Sequence, residues 1–143
     1  AVSDRILVTG AGGRLGAAII EVFADHEVVA HTRAWLDITD AAAVHAAVEA
    51  GCTLIDTAPL YGRGRSERII ARALRERPDL KARCTVTTKV GHMPEGFDYS
   101  YDLTMRCVED SQKRLEMERF DVLYIHDAMG QPMDRVMARN GTA

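Results

Sequence analysis

Ile6-Leu7-Val8-Thr9-Gly10-Ala11-Gly12-Gly13-Arg14-Leu15-Gly16 is an apolar run that meets three glycines at three-residue spacing and then gives way to a helical pattern. A strand feeding a helix through such a turn leaves backbone N–H groups and the positive end of the helix dipole open to an anion. Gly10 turns the chain off the strand, Gly13 lets the backbone approach a phosphate, and Gly16 lets the helix pack closely on the sheet. The stretch therefore predicts a dinucleotide-binding turn with contacts at Gly10, Gly13, Arg14, Leu15 and Gly16. The plainer alternative is a tight strand-to-helix turn with no ligand.

Outward from this turn, short runs rich in Val, Ile, Leu and Thr alternate with segments of helical period. That grammar belongs to parallel strands joined by crossover helices. Five strands are expected, at residues 5–9, 27–31, 53–57, 84–90 and 121–126. Leu15, Ile19, Val22 and Phe23 would form the buried face of the first helix. The second runs from about Asp40 to Ala50, capped by Thr39 or Asp40 and stopped at Gly51. Ser66 is placed to cap a third, whose Ile69, Ile70, Ala73 and Leu74 face inward, with Pro78 beyond its end. A fourth covers Tyr101 to Met117 and turns Leu103, Cys107 or Val108, Ser111 and Leu115 inward. From Ala128 the pattern fades into a tail with a short helix ending near Asn140-Gly141.

The chain has 143 residues with 47% hydrophobic content, enough for one domain and its core. The fold expected is a single three-layer α/β/α domain over residues 1–143, built on a five-stranded parallel sheet. Its parts are a βαβα unit over residues 1–50, a βαβαβ unit over 51–127 and the tail, 128–143. Right-handed crossovers permit several strand orders. The order 2-1-3-4-5 is favoured, over a Rossmann-like 3-2-1-4-5 and over a curved half-barrel, 1-2-3-4-5, which would leave apolar surface uncovered and call for a homodimer.

A net charge of −3 gives no footprint for nucleic acid or an anionic membrane. Arg63, Arg65, Arg68, Arg72, Arg75, Arg77, Lys81 and Arg83 interleave with Glu67, Glu76 and Asp79, the pattern of a solvated helix face. Cys52, Cys84 and Cys107 are odd in number and lack a Cys-x-x-Cys pair, so neither a disulfide framework nor a metal site is expected. Methionines 105, 117, 129, 133 and 137 read as core or tail filler. With no signal-peptide pattern and no apolar run of membrane length, the reading is a soluble, cytoplasmic chain with a small-molecule partner.

Four polar residues stand at or just beyond the expected strand ends. Asp56 follows Thr53-Leu54-Ile55, Lys89 follows Thr85-Val86-Thr87-Thr88, and His126 follows Val122-Leu123-Tyr124-Ile125; Tyr61 lies five residues after Asp56. In a parallel sheet these ends share one edge, where sites are built. Reduction of a carbonyl needs a proton donor for the developing alkoxide, and tyrosine, ordinarily near pKa ~10, serves when a nearby cation lowers it. The plainer alternative is an ion pair between Asp56 and Lys89, a core imidazole at His126 and a loop aromatic at Tyr61.

Two family resemblances follow from these motifs. Residues 5–50 resemble the opening of an extended short-chain dehydrogenase/reductase, of the dTDP-4-dehydrorhamnose reductase kind, through Leu7 to Gly16 and Leu36-Asp37-Ile38-Thr39-Asp40. That resemblance implies that Arg33 meets a 2′-phosphate of NADP and that Asp37 and Ile38 border the adenine. The Tyr-x-x-x-Lys pair of that family is missing, since none of Tyr61, Tyr99, Tyr101 or Tyr124 has lysine four residues on. Residues 51–127 resemble strands two to four of an aldo-keto reductase barrel. The matching stretches are Gly51 to Gly62, Gly64-Arg65-Ser66-Glu67, Thr87-Thr88-Lys89-Val90 and Asp121 to Asp127. This resemblance implies Tyr61 as general acid, Lys89 as the cation that makes it more acidic, Asp56 as the partner of Lys89, and His126 as the group that orients the carbonyl. A full (β/α)8 barrel takes at least ~200 residues, so only part of one is expected. The economical explanation is a chimera of two fold fragments, recombined or engineered, joined in the second helix. The function expected first is a scaffold with weak NAD or NADP affinity and no efficient catalysis. The alternative is an NAD(P)H-dependent oxidoreductase that reduces a small carbonyl substrate.

Overall fold

The computed structural model describes residues 5–9, 11–32 and 40–138, and the chain forms two compact units, Ala1–Cys52 and Thr53–Ala143. In the first unit, strand β1 (Arg5–Thr9) pairs in parallel with β2 (Glu27–His31), in register from Arg5 opposite Glu27 to Thr9 opposite His31. Parallel neighbours need a crossover, supplied by α1 (Arg14–Val22). Helix α2 (Ala41–Glu49) starts where the Asp40 carboxylate accepts a hydrogen bond from the Ala42 N–H at 3.0 Å.

The α1 face departs from expectation. Ile19 is half-buried, but Val22 is 71% exposed and Phe23 is exposed as well. Phe23 lies past the last helical residue, at the C-cap, so the helical period no longer aims its side chain. Its ring instead meets His26 edge-on at 5.6 Å.

The second unit runs β3 (Leu54–Asp56), α3 (Arg65–Glu76), α4 (Pro78–Lys81), β4 (Thr85–Val90), β5 (His92–Met93), β6 (Gly96–Phe97), α5 (Tyr101–Leu115), β7 (Leu123–Ile125), a 3-10 turn at Ala128–Gly130, and α6 (Met133–Val136). Strands β3, β4 and β7 form a parallel sheet with β4 at its centre, and β5 and β6 make a small antiparallel hairpin. The parallel strands are thus hydrogen-bonded as a pair in the first unit and as a trio in the second. Alternation of strand and helix dictates that sequential strands lie parallel, but carries no signal for a non-sequential pairing such as first with third.

Side chains alternate across a strand, so Val86, Thr88 and Val90 of β4 point one way and Thr85, Thr87 and Lys89 the other. The first face meets the helices. Val86 packs with Ile70 and Leu74 of α3 and Leu115 of α5, and Ile55, Cys84, Met117 and Phe120 close around them. Burying each large apolar side chain here contributes about 1.5–3 kcal/mol. In this unit α3 and α5 pack against that one face, and Leu54 and Tyr124, which share the other with Asp56 and Lys89, are exposed. Within this unit that is a two-layer arrangement of helices on one face of the sheet.

Helix α3 begins two residues earlier than the sequence reading places it. Its N-cap is Gly64, in the left-handed region at φ 78, and Ser66 hydrogen-bonds with the hydroxyl of Thr57 at 2.9 Å. Helix α5 is capped by the Ser100 hydroxyl, which accepts from the Leu103 N–H at 3.4 Å, with Asp102 in the first turn and Lys113 and Arg114 in the last, charges that complement the helix dipole. The arginines of α3 are exposed, as their pattern predicts, but Glu67 among them is fully buried. Met105 is exposed and not core filler. Cys52, Cys84 and Cys107 are not joined in disulfides, and among the described residues no helix is long and apolar enough to cross a membrane.

Candidate active site

Asp56 ends β3 and stands opposite Thr87 of β4, whose neighbour on the same face, two residues along, is Lys89. This register puts a carboxylate beside a lysine without any loop having to reach. The Lys89 Nζ donates to Asp56 Oδ2 at 2.5 Å and to the Thr57 carbonyl at 2.8 Å, and the Thr87 hydroxyl donates to Asp56 Oδ1 at 2.7 Å. The ammonium is largely enclosed, its side chain 13% exposed, while that of Asp56 is 48% exposed.

Beyond β3 the chain turns through Ala58-Pro59-Leu60 and brings Tyr61 over this pair. The Lys89 Nζ lies 5.0 Å from the centre of the Tyr61 ring and 6.0 Å from that of Tyr124, the β7 residue in register with Lys89. His126 follows β7 and hangs from its N–H, which donates to the Val90 carbonyl at 2.8 Å. Its ring meets Tyr61 edge-on, with centroids 5.7 Å apart and planes at 90°. Asp56, Tyr61, Lys89 and His126 are therefore gathered at the carboxyl end of one small parallel sheet. Strand alternation and the three strand ends are what gather them.

His126 is 6% exposed. Its pKa is held below the ordinary value, first because burial disfavours the charged ring, with the charges of Lys89 and His92 acting in the same direction and those of Asp127 and Asp56 opposing them. Its Nδ1 is buried with no hydrogen-bond partner among the described residues. A histidine more acidic when folded adds stability that is present above its unfolded pKa and is lost as pH falls through the lower folded value. An NMR titration of the His126 ring is expected to give a midpoint below the ordinary value of about 6.5. A midpoint at or above that value would mean that the ring is more hydrated than its surroundings indicate.

Two residues that sequence reasoning did not single out complete the rim. His92 lies two residues beyond Val90, its Nδ1 2.7 Å from Asp127 Oδ2, and its ring stacks on Phe97 with centroids 4.0 Å apart. Asp127 lies 3.7 Å from His126 Nε2. The available signal was position: each sits two residues past the end of a parallel strand, and Asp127 adjoins His126. Tyr99, buried below, donates from its hydroxyl to the His126 carbonyl at 3.1 Å.

In the first unit, the glycine turn leads into α1 at Gly13, an extended residue with φ −86 and ψ 166. Among the described residues no side chain caps that helix, and no acidic residue stands in its first turn, the arrangement of backbone N–H groups that suits an anion. Gly16 is buried. Arg14 and Leu15 open the helix. Gly10, Arg33, Asp37 and Ile38 lie outside the described residues.

The profile of the Aldo/keto reductase family matches residues 35–135, and that of the RmlD substrate binding domain matches residues 4–62. The chain belongs to the aldo/keto reductase family. Pyridoxal 4-dehydrogenase of Microbacterium luteolum is 34% identical over 115 residues, covering 60% of this chain and 33% of that protein. An aldo-keto reductase from Pseudomonas aeruginosa superposes with a TM-score of 0.59 at 35% identity, over 70% of this chain and 38% of its own. An aldo-keto reductase from Klebsiella pneumoniae, solved in complex with NADPH, superposes with a TM-score of 0.51 at 29% identity, over 62% of this chain and 28% of its own. The chain spans about a third of the length of these relatives.

Proposed function

We propose that the chain acts in NAD(P)H-dependent reduction of a small carbonyl compound, with Tyr61 as general acid. The observation that carries this reading is the Lys89 ammonium, held by Asp56 and the Thr57 carbonyl 5.0 Å from the Tyr61 ring centre, with His126 edge-on to the same ring. Tyr61 gives its proton to the oxygen of the developing alkoxide. Lys89 stabilises the phenolate left behind, and Asp56 keeps Lys89 charged and in place. His126, favoured in its neutral form, donates from Nε2 to the carbonyl oxygen and fixes the face presented to the donor. NAD(P)H, when bound, supplies the hydride to the carbonyl carbon.

The N-terminus of α1 fits the pyrophosphate of such a cofactor, with Gly10, Gly13, Arg14, Leu15 and Gly16 as the turn that would hold it and Arg33, Asp37 and Ile38 as the adenosine end. NADPH bound to the Klebsiella relative supports the cofactor class, and the dehydrogenase activity named for the Microbacterium relative supports the reaction class. Two family matches support the reading of a two-family sequence. Family membership and the assembled cluster favour a reductase over a scaffold without efficient catalysis.

Following NADPH fluorescence during titration, and then NADPH absorbance after addition of a small aldehyde, tests this function. Saturable binding and aldehyde-dependent oxidation are expected. Binding without turnover, or no binding at millimolar cofactor, would leave the scaffold reading in its place.

A further inference from the structure

We propose that His92, His126 and Asp127 form a binding site for one transition-metal dication, zinc or an ion of similar chemistry such as cobalt or nickel. The donor atoms are His92 Nδ1, His126 Nε2 and an Asp127 carboxylate oxygen, and all lie within 4.8 Å of one another. Asp127 Oδ2 is already 2.7 Å from the first nitrogen and 3.7 Å from the second. A tetrahedral ion with bonds of about 2.0–2.2 Å spaces its ligand atoms roughly 3.3 Å apart, so small side-chain rotations would close the set. Two imidazole nitrogens and one carboxylate oxygen suit zinc, cobalt or nickel. Magnesium and calcium favour sites made of oxygen alone.

The surrounding backbone holds these three groups together. Gly91, at φ 92, turns β4 into His92 in a conformation that side chains rarely adopt, and a Cβ there would lie 2.4 Å from the Tyr99 ring. Asp127 is itself left-handed at φ 54, an uncommon state for a residue other than glycine. Phe97 stacks on the His92 ring, and Tyr99 ties down the His126 carbonyl. Of the cations nearby, Lys89 is paired with Asp56, and Arg135 donates to the Phe97 carbonyl at 2.7 Å. The Asp127 side chain is 56% exposed, which gives an ion a way in and leaves a fourth position for water or a ligand. An ion here would take the His126 Nε2 that the proposed reduction needs; this consequence alone rests on the reductase reading, and the site itself does not.

Titration of the full chain with cobalt(II), followed by visible absorption, tests the site without any measurement of turnover. The expected result is a tetrahedral cobalt spectrum that saturates at about one ion per chain, is displaced by zinc, and is lost in His92→Gln and in Asp127→Asn. Circular dichroism would check that both variants fold. Independently of them, zinc is expected to shift the ring resonances of His92 and His126 in the unaltered chain while those of His26 and His45 stay in place. Absence of a visible band, a thiolate charge-transfer band that reports cysteine ligation, a band that survives both substitutions, or unmoved His92 and His126 resonances would each overturn the proposal.

Discussion

Arg114→Met is expected to lower the stability of the second unit by about 3–5 kcal/mol, because it leaves a buried carboxylate without its counter-charge. Glu67 of α3 has no exposed surface. One of its oxygens accepts from the Thr88 hydroxyl at 2.8 Å and the other from Arg114 Nε. Arg114, on the last turn of α5 and 16% exposed, also donates to the Ser111 hydroxyl at 3.1 Å. The three side chains join strand β4 to both helices, so the loss would be felt across the whole layer. Against a typical total of 5–15 kcal/mol, the variant would be marginal or unfolded. Urea unfolding followed by circular dichroism measures the loss. Glu67→Gln combined with Arg114→Met is expected to recover much of it, because no unpaired charge then remains. A single substitution costing under about 1 kcal/mol, the range of an exposed ion pair, would show that the pair is hydrated.

Lys89→Met is expected to reduce NADPH-driven turnover by about 10²- to 10⁴-fold, the range for loss of proton-transfer assistance. The methionine keeps an apolar stem of similar length, while Asp56 keeps the Thr87 hydroxyl and its contact with solvent, so the fold is expected to persist. Because the Lys89 charge is among those that hold the His126 pKa down, the same substitution should move the His126 titration midpoint upward. A steady-state assay and an NMR titration on one sample read both effects. Turnover within a few-fold of the unaltered chain would remove Lys89 from the reaction.

The sequence was most legible where physics is local. Alternation along Thr85–Val90 assigns Lys89 and Thr87 to one face and Val86 and Val90 to the other, and the three strand ends then gather Asp56, Lys89 and His126. Capping by Asp40 likewise needs only neighbours in the chain. Glu67 was hidden because its partner Arg114 lies 47 residues away and its immediate neighbours are exposed arginines, so a buried charge looked like part of a solvated face. Ser66 offered a cap that a left-handed Gly64 took instead. Periodicity alone misplaced Phe23, because the hydrophobic pattern outran the helix, and Val22, which is exposed on the last residue of α1. Strand neighbours within each βαβ step are written locally, whereas the pairing of one step with another is not. His92 went unread because no motif led to it, and Asp127 because it closed the quoted stretch without a role of its own, although each lies two residues past the end of a parallel strand.

The most direct test is the rate of NADPH oxidation with a small aldehyde, measured for the unaltered chain and for Tyr61→Phe at equal cofactor saturation. Removing a single hydroxyl leaves the packing of the ring against His126 and Lys89 intact, so any change reports on the proton. The account predicts measurable turnover in the unaltered chain and a loss of at least about 10²-fold in the variant, with NADPH affinity unchanged. Equal rates in the two proteins would contradict it.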